Sequence, residues 1–208
     1  MDGVLIDSHP THHAAWHEFF RSLGRSLSYD ELSFILDGRT RAEILRHFLG
    51  NLPDAELDYY GRRKDEIFRT MELAISPVRG VIDFLGRLRQ TGIASAVATS
   101  ASEIRTLSTI ERLGLSDHFQ AVVTASDVTA GKPDPRVYRL ACERLGIPPE
   151  NCLAFDDAPA GVESARRAGM RCVGIASDGL GLRLLAVGAE RVIPDFSAFT
   201  LEPSSRVA

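Results

Sequence analysis

From Ile93 onward the sequence alternates short apolar runs with amphipathic stretches, and a Gly or Pro separates each run from the next. Short apolar runs bounded by turn residues are typical of buried strands, and apolar residues at helical spacing predict helices. The predicted strands are Ile93–Ala98, Ala121–Thr124, Cys152–Phe155, Arg171–Ile175 and, as a fifth, Arg191–Ile193. Helical patterns lie between them at about 102–113, 135–145 and 161–168. Strands joined through helices lie parallel, so the sequence predicts an α/β fold with a doubly wound parallel sheet.

The stretch before this alternation contains helical patterns only. Pro10 suits the first turn of a helix, and Trp16 and Phe20 lie on the apolar face of that helix. Further helical patterns run near 29–36, 41–49 and 54–73. We therefore predict a small helical cap at residues 9–76, inserted into an α/β core that consists of residues 1–8 and 77–208.

Charge and cysteine content exclude several classes of protein. The chain has 24 Lys and Arg against 28 Asp and Glu, and no segment gathers basic residues, so a nucleic acid partner is not expected. The three cysteines have neither a disulfide-scaffold spacing nor a zinc-ligand spacing, which favours a reducing compartment. The sequence has no apolar run long enough for a membrane span and no signal-peptide pattern. We expect a cytoplasmic monomer that does not bind a membrane.

Polar residues follow three of the predicted strands. Thr99-Ser100-Ala101 lead from the first strand into a helix, Lys132 lies in a proline-braced turn, and Asp156-Asp157 follow the third strand. Ligands of open parallel sheets bind beyond the carboxyl ends of the strands, so these groups should face one crevice. A hydroxyl with helix N-terminal N–H groups suits a phosphate, a lysine neutralises a transferring phosphoryl group, and paired carboxylates suit Mg²⁺.

Each of these features also has an ordinary structural interpretation. A Thr after a strand is often a helix cap, a Lys-Pro pair is often a surface turn, and an Asp pair often lies in a solvated loop. Their joint placement at successive strand ends is what favours the functional interpretation.

Four segments together resemble the signature motifs of the haloacid dehalogenase superfamily. The segments are Asp2-Gly3-Val4-Leu5-Ile6-Asp7-Ser8, Thr99-Ser100, Lys132-Pro133, and Phe155-Asp156-Asp157-Ala158-Pro159-Ala160-Gly161. The chain is most similar to the subgroup of β-phosphoglucomutase and related sugar-phosphate phosphatases, which carry a small helical cap. The resemblance covers nearly the whole chain and implies a phosphoryl-transfer enzyme.

The first motif of that family reads Asp-x-Asp-Gly, and Asp2 aligns with its second Asp. The resemblance implies that Asp2 is the general acid and base, and that the nucleophilic Asp falls immediately before Met1 together with the strand that carries it. We expect that an internal Met has been taken as the start or that a leader is omitted. The alternative is a protein without catalytic activity, because the covalent route needs that nucleophile.

The resemblance also implies a metal site and a phosphate site. The expected cofactor is Mg²⁺, held by the missing Asp, Asp156, Asp157 and the backbone carbonyl of Asp2. Thr99 and Lys132 would bind the remaining phosphoryl oxygens, so that catalysis depends mainly on positioning and charge neutralisation.

Several cap residues resemble substrate-binding positions of β-phosphoglucomutase: His12, Trp16, Gly38, Arg41 and Lys64. The resemblance implies that the histidine cooperates with the acid and base, and that the cationic side chains bind sugar and phosphate. Arg41 also suits an ordinary first helical turn, and Lys64 also suits a solvated charge.

The expected function is a phosphatase that acts on a small phosphorylated sugar or metabolite. A phosphomutase of the β-phosphoglucomutase type is the alternative, and a non-catalytic sugar-phosphate binder is a second alternative if the chain starts at Met1. A different class of site is a zinc or nickel site formed by His9, His13 and His17, which share one helix face. A plain polar helix face explains the same spacing.

Overall fold

The protein, described by a computed structural model for residues 1–36, 41–71, 75–177 and 179–201, consists of two compact units. The α/β unit contains Met1, Gly3–Leu5 and residues 77–208, and the helical unit contains Asp2 and residues 6–76. The predicted fold class is confirmed, because parallel strands alternate with helices in the α/β unit.

The described part of the helical unit contains four α-helices, α1 (His9–Ser22), α2 (Tyr29–Leu36), α3 (Arg41–Leu49) and α4 (Asp54–Met71). Helix α1 carries Pro10 in its first turn and ends before Gly24, whose φ of +76° suits a residue without a Cβ. Its apolar face buries Phe19 and Phe20 completely, and α1 packs mainly on α4. The predicted end of the fourth helix, at residue 73, lies outside the described residues.

Among its described residues, the α/β unit contains five further α-helices and five strands. In chain order they are α5 (Val81–Gln90), β1 (Ala96–Ala98), α6 (Glu103–Arg112), β2 (Ala121–Val123), α7 (Arg136–Leu145), β3 (Leu153–Asp156), α8 (Pro159–Ala168), β4 (Arg171–Ile175), α9 (Gly181–Ala186) and β5 (Arg191–Ile193). Helices α7 and α8 end at Gly146 and Gly169, which adopt the left-handed conformation that favours glycine at a helix end.

The strands form two parallel sheets. Strand β1 pairs with β2 in the register Ala96↔Ala121, and β3, β4 and β5 pair in that order. All five predicted strands are therefore present, and their division into two sheets was not predicted. The buried core of this unit includes Val123, Val162 and Leu184.

The first predicted strand is shorter than expected, because it begins at Ala96 and not at Ile93. The Ser95 N–H donates to Oε1 of Gln120, and the Ser95 hydroxyl donates to the His118 carbonyl. One backbone bond, from the Gln120 N–H to the Ser95 carbonyl at 2.9 Å, also lies here, and the other contacts before Ala96 involve side chains. Helices α5 and α9 were not predicted from the sequence.

An apolar cavity of about 540 Å³ lies in the α/β unit. Its lining comes from both sheets, through residues 96–98 of β1 and residues 153–155 of β3, and from Met1, Val4 and Leu5. In the described ranges, no helix is both long enough and apolar enough to span a bilayer.

Candidate active site

A buried ion pair lies where β3 ends. Asp156 is the last residue of β3 and is 4% exposed, and its Oδ2 accepts a hydrogen bond from Lys132 Nζ at 2.7 Å. The same Nζ donates to the Ala98 carbonyl at the end of β1, at 3.3 Å. The structure therefore brings the predicted Lys132 and Asp156 together and attaches the lysine to a second strand end.

Tyr138 of α7 contacts both members of this pair, although its role was not predicted. Its hydroxyl donates to Asp156 Oδ2 at 2.6 Å, and Lys132 Nζ lies 4.7 Å from the centre of its ring. The ring position is typical of a cation–π contact. We call Thr99, Lys132, Tyr138 and Asp156 the strand-end cluster.

Two opposed effects act on the protonation of the strand-end cluster. Burial raises the pKa of the Asp156 carboxyl, but the charge of Lys132 and the hydrogen bonds from Lys132 and Tyr138 lower it further, so its pKa lies below the ordinary value. Burial, together with the neighbouring Asp156, raises the pKa of the Tyr138 hydroxyl well above its ordinary value. Tyr138 is therefore a hydrogen-bond donor, and Asp156 is an anion.

Thr99 follows β1 and is 3% exposed. Its N–H donates to the Val123 carbonyl at 2.9 Å, and its Oγ1 accepts a hydrogen bond from the Ala101 N–H at 3.1 Å. Ser100, the other hydroxyl of this segment, is exposed. The segment thus leads from the end of β1 toward α6, and the Ala101 N–H of the same segment holds the Thr99 hydroxyl.

The carboxylates of Asp156 and Asp157 lie against glycines that leave no room for a side chain. A Cβ on Gly161 would lie 1.9 Å from Asp156 Oδ1, and a Cβ on Gly3 would lie 2.1 Å from Asp157 Oδ2. Asp156 Oδ1 also accepts from the Ala158 N–H at 3.0 Å, so both of its oxygens are engaged. The Asp157 carboxylate lies so close to the backbone at position 3 that only glycine, which has no Cβ, fits there.

Oxygen donors of this kind suit a hard cation. Mg²⁺ commonly takes one or two carboxylates and completes its octahedron with water and phosphate oxygens. Within the described ranges, His, Cys, Asp and Glu side chains do not assemble in groups of three that could hold a metal. The carboxylate of Asp157 is a type of ligand that Mg²⁺ accepts, whereas the Cys and His ligands of a structural zinc site are not gathered among the described residues.

A second cluster lies in the helical unit. Lys64 Nζ lies 3.0 Å from His12 Nδ1, and His12 Nε2 lies 3.6 Å from Asp2 Oδ1. An ammonium group can only donate, so Nδ1 accepts and the imidazole proton is on Nε2, which faces Asp2. The buried Ser8 donates to the same oxygen of Asp2 at 2.6 Å. We call Asp2, Ser8, His12 and Lys64 the His–Lys cluster.

Aromatic rings surround the lysine of the His–Lys cluster. Lys64 Nζ lies 5.4 Å from the ring centre of Trp16 and 4.8 Å from that of Phe68, and Phe68 stacks on His12 at 4.2 Å. Phe68 was not predicted, although it follows Lys64 by one helical turn and so lies on the same face of α4. The contact of Ser8 with Asp2 was not predicted either.

The remaining predicted residues of the helical unit are more dispersed. Arg41 donates to Asp65 at 2.7 Å across helices α3 and α4, and its guanidinium lies against Gly61, where a Cβ would come within 2.6 Å. Gly38 lies outside the described residues. The placement of Asp2 and Arg41 relative to the strand-end cluster stays a prediction.

The three histidines proposed as a zinc or nickel site lie on α1. His9 and His13 are half-buried and His17 is exposed, and they are not part of any metal-binding group among the residues that the structure describes. The geometry therefore does not support this alternative.

Comparisons with known proteins show the family of the chain. A profile of haloacid dehalogenase-like hydrolases matches residues 1–169. The chain is 35% identical over 185 residues to the fructose-1-phosphate phosphatase of Escherichia coli K12, with 84% of this chain and 93% of the relative covered. It is 30% identical over 212 residues to the β-phosphoglucomutase of Bacillus subtilis 168, with 97% and 90% covered.

Solved structures show the same similarity. A haloacid dehalogenase hydrolase of family IA from Entamoeba histolytica superposes with a TM-score of 0.87 at 30% sequence identity. The match covers 97% of this chain and 93% of that one.

Proposed function

The chain belongs to the haloacid dehalogenase-like hydrolases, a family of enzymes, and we propose that it is a Mg²⁺-dependent phosphatase of a small phosphorylated sugar. The observation that carries this proposal is the ammonium of Lys132, held at the ends of two strands by Asp156 and the Ala98 carbonyl. The similarity to a fructose-1-phosphate phosphatase favours this substrate class.

The strand-end cluster would bind the phosphoryl group that is transferred. Lys132 would place its charge beside the phosphoryl oxygens, and the Thr99 hydroxyl with the N–H groups before α6 would donate to them. These donors are fixed before substrate binds, so little reorganisation is needed when charge develops. Phosphoryl transfer depends mainly on such positioning and charge stabilisation.

The metal would be held by Asp157, by the aspartate proposed below, and by the carbonyl of Asp2. When bound, Mg²⁺ would supply a positive charge that draws the phosphoryl oxygens in and offsets their repulsion of an attacking carboxylate. Asp156 was predicted as a metal ligand as well. Because both of its oxygens already accept hydrogen bonds, we propose that its main task is to anchor Lys132.

The nucleophile is proposed to be an aspartate directly before Met1. Met1 lines the apolar cavity together with β1 and β3, so an apolar segment leading into Met1 has a place to pack. Burial of such a segment would remove apolar surface from water and would pair strand edges that the two separate sheets leave open.

Asp2 is proposed as the general acid and base. It would protonate the sugar oxygen as the bond from phosphorus to that oxygen breaks and the aspartyl-phosphate forms. It would then take a proton from water as the water attacks phosphorus, which releases inorganic phosphate and restores the aspartate. Its contacts with the Ser8 hydroxyl and with the Nε2 side of His12 orient the carboxyl group.

The test is a phosphate-release assay on two matched proteins. An apolar strand that ends in Asp is fused before Met1, and the control carries the same strand with Asn at that position. We expect Mg²⁺-dependent release from fructose 1-phosphate and other sugar phosphates by the Asp protein only, and none with EDTA. Tight binding of sugar phosphates without release by either protein would indicate a non-catalytic binder and would overturn the proposal.

A phosphomutase is the second candidate. The match to the β-phosphoglucomutase relative covers 97% of the chain. The adjacent polar side chains of His12 and Lys64 would offer hydrogen-bonding groups to a sugar. Incubation of the fused protein with β-glucose 1-phosphate separates the two activities. A phosphatase yields inorganic phosphate, whereas a mutase yields glucose 6-phosphate without net phosphate release.

A further inference from the structure

Tyr138 connects the two charged groups of the strand-end cluster. It is 5% exposed, and its hydroxyl donates to the Asp156 oxygen that also accepts from Lys132. The hydroxyl lies 3.4 Å from Lys132 Nζ, and the ring lies beneath the same ammonium. A residue that only filled the core would need no polar atom at this point, since a buried hydroxyl without a partner costs free energy.

The carboxylate of Asp156 is held from three directions. Lys132 and Tyr138 donate to Oδ2, the Ala158 N–H donates to Oδ1, and Gly161 leaves no space behind it. Loss of the tyrosine hydroxyl would leave Oδ2 with the lysine alone. The Oδ2 side of the carboxylate would then be held less firmly, and the ammonium bonded to it could shift.

Lys132 itself lies in a turn, where the backbone constrains the end of a long side chain poorly. Its four-carbon stem has several rotatable bonds, and an ammonium has no preferred direction of its own. The fixed points of its ammonium are Asp156, the Ala98 carbonyl and Tyr138. Of these three, Tyr138 lies on a helix, α7, which begins shortly after the turn that carries Lys132.

We infer that Tyr138 is a positioning residue for Lys132: its hydroxyl and ring hold the ammonium where a phosphoryl oxygen is to be bound. This inference rests on the proposed function for its consequence in catalysis. Tyr138 thereby has a functional task, although the sequence pattern places it on the apolar face of a helix.

The chain offers a direct readout because it contains only two lysines, Lys64 and Lys132. Protein labelled with ¹⁵N-lysine gives two ammonium signals in a proton–nitrogen spectrum. We expect both in the wild type, and in Tyr138→Phe we expect the Lys132 signal to broaden or vanish while the Lys64 signal persists. An unchanged Lys132 signal in Tyr138→Phe, or a freely rotating Lys132 in the wild type, would overturn the inference.

Val137→Ala is the matched control, because Val137 is buried on the same helix and lies in the same core. It should lower the thermal midpoint at least as much as Tyr138→Phe and leave both ammonium signals intact. If Val137→Ala disturbed Lys132 as strongly, the role of Tyr138 would be structural only.

Kinetics of the fused protein provide the second arm. We expect Tyr138→Phe to lower kcat about tenfold, which corresponds to one hydrogen bond to a charged group, with KM within about twofold of the wild type. An equal loss in Val137→Ala would contradict the positioning role. If the fused protein with Tyr138 intact released no phosphate, the proposed function would be refuted. The ammonium spectra would still decide the role of Tyr138.

Discussion

The two units each bury one lysine, and the two lysines are satisfied in different ways. In the α/β unit, Lys132 forms a 2.7 Å ion pair with the buried Asp156. In the helical unit, Lys64 is 4% exposed and contacts a histidine nitrogen and two aromatic rings, while the carboxylate of Asp65 at 3.9 Å is half exposed. The other 22 of the 24 cationic Lys and Arg side chains are arginines.

This difference indicates different tasks for the two lysines. A charge paired with a buried carboxylate is fixed in place and costly to remove, because its partner would stay charged in a dry site. Lys64 instead lies beside an imidazole, two ring faces and a half-exposed carboxylate, so its surroundings differ from a buried ion pair. We therefore expect Lys132 to be a permanent part of the phosphate site, and we propose that Lys64 binds substrate.

The largest effect should come from Lys132→Met, which leaves Asp156 buried without its cation. We expect a loss of about 3–5 kcal/mol in the free energy of unfolding, measured by urea denaturation. Adding Asp156→Asn should recover part of that loss, because the uncompensated charge is gone. A loss below about 1 kcal/mol for the single variant would mean that the ion pair is not buried as described.

Lys64→Met should have a smaller effect on stability. Methionine keeps most of the apolar stem against the rings, and the main loss is the donor to His12 Nδ1, so we expect about 1–2 kcal/mol. The KM for sugar phosphates should nevertheless rise, because Lys64 is proposed to contact substrate. If Lys64→Met proved as destabilising as Lys132→Met, the two environments would not differ in kind.

The pH dependence of stability should also separate the two lysines. The pKa of Asp156 is lower in the folded state than in the unfolded state, so its contribution is complete above about pH 4 and is lost as the pH falls through the folded pKa. The stability of the wild type should therefore fall in acid more steeply than that of Asp156→Asn. Lys64→Met should keep the acid dependence of the wild type, and parallel curves for wild type and Asp156→Asn would contradict the assignment.

The smallest effect on stability should come from Arg41→Ala. Arg41 and Asp65 are 44% and 50% exposed in their side chains, and such ion pairs contribute about 0–1 kcal/mol. If Arg41 binds the non-transferring phosphate, its removal should raise the KM for sugar phosphates while the thermal midpoint stays almost unchanged. A lower midpoint with an unaltered KM would assign Arg41 a purely structural role.

The sequence was sufficient for those parts of the molecule that local pattern determines. Apolar runs between turn residues located Arg171–Ile175 and Arg191–Ile193 correctly, and the placement of Lys132 and Asp156 after strands predicted their encounter. The features that could not be predicted depend on contacts between residues that are distant in the sequence. Tyr138 fits the apolar face of α7 as well as any core residue, and only the folded chain brings Asp156 to its hydroxyl.

The same limit explains the other omissions. Residues 93–95 have a strand-like composition, but the Ser95 N–H and hydroxyl bond to the Gln120 side chain and the His118 carbonyl, and the regular pairing starts at Ala96. Ser8 is polar and short, and nothing local indicates that it is buried beside Asp2. Strand pairing and buried hydrogen bonds belong to tertiary structure, which single-residue preferences do not encode.

A crystal structure of the protein with Mg²⁺ and inorganic phosphate would show whether the strand-end cluster binds the phosphoryl group. We predict a phosphate oxygen within about 3 Å of both Lys132 Nζ and Thr99 Oγ1, with Lys132 still paired to Asp156 and a metal at Asp157. A phosphate bound elsewhere, with the strand-end cluster unchanged and without ligand, would contradict the account.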